Sequence, residues 1–202
     1  LVASTATTLI LTGVLYLSVD TEHRALELFA PVAISDLSAF SLGVASNGKA
    51  DEVDYTFPAD AVEADTYIYV ARGTSAEFTA EYARNATYTG ASWLMYNGDD
   101  NLLVWRDGSV IDRYGVADTD GTGEAWEYSS GTIVYRISGS SATTVLNVNE
   151  WSVESTPGVL GTFSLVASTA APSLAPSRSP APMPSTAPSG SVAPSANPTP
   201  TP

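Results

Sequence analysis

Through most of this chain apolar residues fall at every second position, in short runs that stop at Gly, Asp, Asn or Pro. Side chains on an extended strand point alternately to opposite faces, so this spacing predicts half-buried β-strands. Leu15, Leu17 and Val19 alternate with Tyr16 and Ser18, and Leu26 and Leu28 with Ala25, Glu27 and Phe29; a polar turn over 20–24 separates the two runs. Val53, Tyr55 and Phe57 form another, with Glu52, Asp54 and Thr56 on the opposite face and Pro58 as its stop. Further strands are predicted over 39–44, 67–71, 93–96, 102–106, 110–114 and 133–137, with weaker ones over 145–148 and 151–153. Asn97-Gly98-Asp99-Asp100 and Asp107-Gly108 supply turns, the second a tight hairpin. Only 75–83 breaks the pattern: Ser75 stands where a helix cap would, and Phe78 and Tyr82 share a helical face. Many short strands with one small helix imply an all-β, two-layer antiparallel sandwich.

Ten of the 13 prolines lie between Pro172 and Pro202, which divides the chain near Ala167. The reading is an N-terminal extension or edge segment over 1–10, a β-sandwich over 11–167 and a Pro/Ser/Ala-rich disordered linker over 168–202, where no face can bury. The serines and threonines between those prolines suit O-glycans. Of 22 acids and 8 bases, only Arg178 falls in the linker. A binder of DNA phosphate needs the opposite balance, so nucleic acid is not expected as a direct partner. The absence of cysteine removes disulfides, thiolate metal sites and cysteine nucleophiles. The apolar stretch over 9–17 is too short and too interrupted to cross a bilayer.

The most metal-like spacing is Asp118, Asp120 and Glu124 around Gly121 and Gly123. Alternate acids before a glycine turn bring hard oxygens together as calcium requires, but the glutamate stands three residues past Gly121, where an EF-hand has six. Two readings stay open, a calcium site and a solvated acidic loop. His23, the only histidine, lies in the polar turn beside Glu22 and Arg24 and reads as an exposed turn residue more than as half of an acid–base pair; a nucleophile–histidine triad must use it or do without it, and no phosphate-binding glycine loop is present. The chain therefore reads as non-catalytic. Trp93, Trp105 and Trp151 stand on predicted strands and are expected to pack, whereas Trp126 and Tyr128 stand in the long acidic loop over 117–131. That pair either displays a stacking platform for a glycan or peptide, or anchors its loop onto the core. Asn85-Ala86-Thr87 is an acceptor motif for N-glycosylation at Asn85.

Several segments in order resemble a lamin-tail-type domain of the divergent extracellular branch. They are Leu11-Thr12-Gly13-Val14-Leu15, Arg24-Ala25-Leu26-Glu27-Leu28-Phe29, the run from Ile34 to Leu42, Tyr55-Thr56-Phe57-Pro58, and 66–71. The hairpin from Tyr96 to Val104, Val110-Ile111-Asp112-Arg113-Tyr114-Gly115 and Gly123-Glu124-Ala125-Trp126-Glu127-Tyr128 continue the match to about residue 158. The chain departs from the pattern at Ala30-Pro31. The resemblance implies an immunoglobulin-like sandwich acting as a non-catalytic binding or spacer module outside the cell or at its surface, with a protein or glycan partner. It also allows an alternative, an accessory domain of a secreted nuclease or phosphatase; a further alternative, independent of the resemblance, is a self-associating, calcium-dependent coat or wall protein.

Overall fold

The computed structural model describes residues 8–18 and 23–165. The linker over 168–202, residues 1–7 of the N-terminal segment and most of the turn over 20–24 lie outside the described residues.

Among the described residues nine strands form two antiparallel sheets. The first holds β1 (Ile10–Tyr16), β2 (Ala25–Ala30), β5 (Thr66–Ala71), β8 (Thr132–Arg136) and β9 (Trp151–Glu154), in the order β5-β2-β1-β8-β9. The second holds β3 (Phe40–Ala45), β4 (Tyr55–Thr56), β6 (Asn101–Arg106) and β7 (Ser109–Tyr114), in the order β4-β3-β6-β7. The hairpin between β6 and β7 turns on Asp107 and Gly108, both at positive φ (49° and 78°), the geometry that matches strand twist in a two-residue turn. One short helix, α1 (Ser75–Tyr82), completes the set. Its cap is Thr74, one residue before the predicted Ser75: the Thr74 hydroxyl accepts from Glu77 N and the Glu77 carboxylate accepts from Thr74 N at 2.7 Å.

One cluster of buried side chains draws on both sheets. Val14, Leu26, Leu28, Val70 and Val134 come from the first, and Leu42, Val44, Leu102 and Val104 from the second. The alternate residues of the first sheet have a second cover. Leu15, Ala25, Tyr69, Ala71 and Ile133 pack with Phe78 and Tyr82 of α1 and with Leu160, while Ile10 and Phe29 pack with Phe163. Every residue of β1 and β2 is therefore buried. This corrects the first predicted strand, which was placed at 15–19 because a strand covered on both faces loses its period-two signal.

Other predicted strands change for local reasons. Residues 93–96 turn instead of extending, with Leu94 N bonded to Ala91 O and Met95 N to Trp93 O, although Leu94 and Tyr96 are buried and Met95 is 46% exposed. The 53–57 run contributes only Tyr55–Thr56 to a ladder, and 145–148 forms no strand, leaving Val145 74% exposed.

Charged groups are buried with partners. Arg136 and Asp112 are both fully buried and meet at 2.6 Å; Asp112 also accepts from Leu11 N (2.8 Å), Thr143 N (2.9 Å) and Arg113 N (3.0 Å). Burial pushes the Asp112 carboxyl up to about 6, against the downward pull of Arg136 and the N–H donors. Glu27 accepts from Thr12 Oγ1 (2.8 Å), Tyr69 OH (2.9 Å) and Gly161 N (2.7 Å), which ties the segment after Pro157 onto the first sheet. Burial raises the Glu27 carboxyl in spite of these donors.

Candidate recognition surface

The predicted site residues other than Asn85 fall in the loop that joins β7 to β8, which packs against the 97–100 turn and the Ser46–Gly48 turn. The turn before β6 carries the frame. Asp100 is buried, and its two carboxylate oxygens accept from Asn47 N at 2.9 Å and from Asn97 N at 3.1 Å. Burial pushes its carboxyl up, the two N–H groups oppose this, and Asp99 and Asp120 add to it. Gly98, at φ 113°, accepts from Tyr128 N at 2.9 Å. A Cβ there would stand 1.9 Å from Tyr128 O, so the approach of the two chains requires glycine. Gly121 N donates to Asp99 O at 3.0 Å, which joins the long loop to the same turn.

Trp126 and Tyr128 are 4% and 6% exposed and belong to the cluster shared by both sheets. Tyr114 OH donates to Trp126 O at 2.5 Å, and the Tyr114 ring meets Trp126 and Tyr128 edge-on at 6.0 and 5.7 Å. The stacking platform expected of this pair is thereby corrected, since a platform needs an open ring face and these rings are covered by protein. They anchor the loop, the other reading their sequence allowed. An indole and a phenol ring bury enough apolar surface to hold a glycine-rich loop in one conformation.

With the aromatics turned in, the acids turn out. Asp118, Asp120, Glu124 and Glu127 are exposed. Asp120 accepts from Thr122 N at 3.0 Å, and its carboxyl lies below the ordinary range because of that N–H and the Thr122 hydroxyl. The same hydroxyl lies 2.8 Å from Asp120 Oδ1 and 2.9 Å from Asp99 Oδ2. Glu127 reaches back to Gly123 N at 2.7 Å. Among the described residues no three acids or histidines gather in an arrangement that could hold a metal ion. The calcium set of Asp118, Asp120 and Glu124 is therefore corrected: Asp120 closes a turn on Thr122, and spacing along the chain does not bring the three carboxylates to a common point.

Asn85 is exposed just beyond α1. Thr87, two residues on, is pinned to β5, its hydroxyl accepting from Tyr69 N at 3.1 Å and its own N–H donating to Tyr69 O at 2.9 Å. His23 Nδ1 lies 3.5 Å from Glu81. Sequence reasoning missed the buried role of Asp100, which its Asn-Gly-Asp-Asp setting disguises as an ordinary turn acid. It also missed Arg24, read only as part of a polar turn.

Among the described residues no helix is long and apolar enough to cross a membrane. No family model, curated protein or solved structure matches the chain.

Proposed function

We propose that this chain is a non-catalytic recognition module with an immunoglobulin-like sandwich, acting outside the cell or at its surface, that offers the anchored acidic loop over 117–128 to a basic protein surface. The sandwich reading is supported by the single buried cluster that draws on both sheets, and the extracellular module by the resemblance to lamin-tail-type domains. One observation carries the binding reading: within a single loop the two large aromatics point inward and four carboxylates point outward. A held loop loses little entropy on docking, and clustered carboxylates steer a cationic partner in a salt-dependent way. A glycan is less well served, because the aromatic pair that would stack on a sugar is covered. The proline-rich composition of 168–202 suits a spacer that sets the module's distance from its neighbour.

The test compares two variants of equal net charge. In the first, Asp118→Asn, Asp120→Asn, Glu124→Gln and Glu127→Gln neutralise the loop. In the second, Glu52→Gln, Glu63→Gln, Asp65→Asn and Glu154→Gln neutralise four other exposed acids. Retention on an immobilised oligo-arginine peptide at rising salt should fall with the first set and persist with the second. Equal loss from both would reduce the effect to overall charge and overturn the loop's role.

A further inference from the structure

Arg24, directly before β2, is 6% exposed, yet no described carboxylate forms an ion pair with it. Its guanidinium lies 5.0 Å from the Tyr16 ring centroid and 5.6 Å from that of Tyr96. Nη1 is 3.6 Å from the Met95 sulfur, Nη2 is 3.5 Å from the Tyr16 hydroxyl, and Nε has no acceptor. A planar fork of five N–H donors is thus met by two ring faces, a thioether and one long contact to a phenol. Neither the sulfur nor the rings supply the bidentate oxygen pair that a guanidinium binds best. The phenol of Tyr96 offers nothing more, because it accepts from Ala25 N at 3.1 Å and lies 2.7 Å from Leu15 O and 2.9 Å from Ala25 O. A desolvated cation left this way is costly unless something else supplies the anion.

A cavity of about 200 Å³ opens beside it, lined by Arg24, Asn47, Met95, Tyr96, Asn97 and Asp100. Its size admits a few heavy atoms. Tyr96 and the exposed Met95 give it an apolar side, while the fork of Arg24 gives it donors. Asp100, its own oxygens engaged by Asn47 N and Asn97 N, sets a limit on charge. It repels a dianion about twice as strongly as a monoanion, because Coulomb energy scales with the product of the charges.

We propose that this cavity binds a small organic monocarboxylate, the carboxylate paired with the Arg24 guanidinium and a short apolar stem lying against Tyr96 and Met95. The site is independent of the acidic loop's partner and stands or falls by its own test.

Sodium propionate is the probe, titrated into the full chain at constant ionic strength, with the arginine Nε–H resonances and the melting temperature as readouts. The expected result is saturable displacement of one Nε–H resonance, half complete at roughly 10 mM or below, with a rise in melting temperature. Sulfate and phosphate should produce neither. Arg24→Met should abolish the response. Met95→Glu changes a half-exposed side chain and should leave the fold intact; by placing a carboxylate beside Nη1 it should weaken propionate about tenfold or more. The proposal is overturned by any of three results. One is no saturable displacement in the unmodified chain, and another is an equal response to sulfate. The third is a response that appears only after Asp20→Asn and Glu22→Gln, which would make the chain's own acids the occupants.

Discussion

Arg136 and Arg24 are both buried arginines that lie against aromatic rings, and they differ in what their N–H groups meet. Arg136 donates from Nε to Leu11 O at 2.8 Å, from Nη1 to Ser141 O at 2.6 Å and from Nη2 to Asp112 at 2.6 Å, with its guanidinium 4.5 Å over Trp151. Arg24 has two tyrosine rings and a sulfur. A connected run of rings lies between them: Trp151 touches Tyr114, Tyr114 touches Tyr128, and Tyr128 touches Tyr16 and Tyr96. The contrast teaches that burial alone does not make a charge structural. Arg136 joins β1, β7, β8 and the loop after β8 through oxygens that have no other cation to serve. The Arg24 guanidinium meets Tyr16 of β1 and Met95 and Tyr96 of the 93–96 turn through rings, a sulfur and one long contact to oxygen.

The comparison can be broken most forcefully at its paired end. Arg136→Met strands the Asp112 carboxylate in the interior and should cost about 3–5 kcal/mol in urea unfolding. Arg136→Met with Asp112→Leu should recover part of that loss, since no charge is then left alone. Trp126→Ala should cost about 3–5 kcal/mol as well, by opening a cavity beside Tyr114 and Gly121. An unchanged melting temperature would mean that the loop is not anchored by this ring.

Glu27 is the intermediate case, a buried carboxylate served by neutral donors, with the Arg84 charge adding to the pull against the rise that burial causes. Its folded pKa is raised above its unfolded one. Its favourable contribution is therefore complete below the unfolded value near 4.5 and is lost as pH rises through the folded value. Glu27→Gln should flatten that fall in stability as pH rises above 4.5, measured by urea midpoints at successive pH values. The smallest effect is expected at Arg24→Met, less than about 1 kcal/mol, because the lost contacts with the rings are offset by removal of a poorly solvated charge. A loss as large as that of Arg136→Met would erase the distinction between the two arginines.

Parts of this architecture were legible from the residues. The β6–β7 hairpin was, because Asp107-Gly108 accepts positive φ and the flanking runs alternate. The strand over 66–71 was legible too, as was α1, whose Phe78 and Tyr82 both turn inward. β1 was misplaced because α1 and the segment containing Leu160 and Phe163 cover its second face, and alternation reports only one-sided burial. Trp126 was ambiguous because glycine and acid content mark a loop without saying which of its side chains fold back. The acids at 118, 120 and 124 looked like ligands because spacing was the only geometry available, and the turn on Thr122 sends Asp120 elsewhere.

The Asp107-Gly108 turn and the faces of β6 and β7 followed from the residues themselves, since steric limits on φ and the alternation of side chains act within a few positions of one another. Which charges are buried, and which of those find a partner, was decided only on folding. Asp112 and Arg136 are 24 residues apart and Arg24 and Met95 are 71 apart, and desolvation depends on whatever the fold brings alongside.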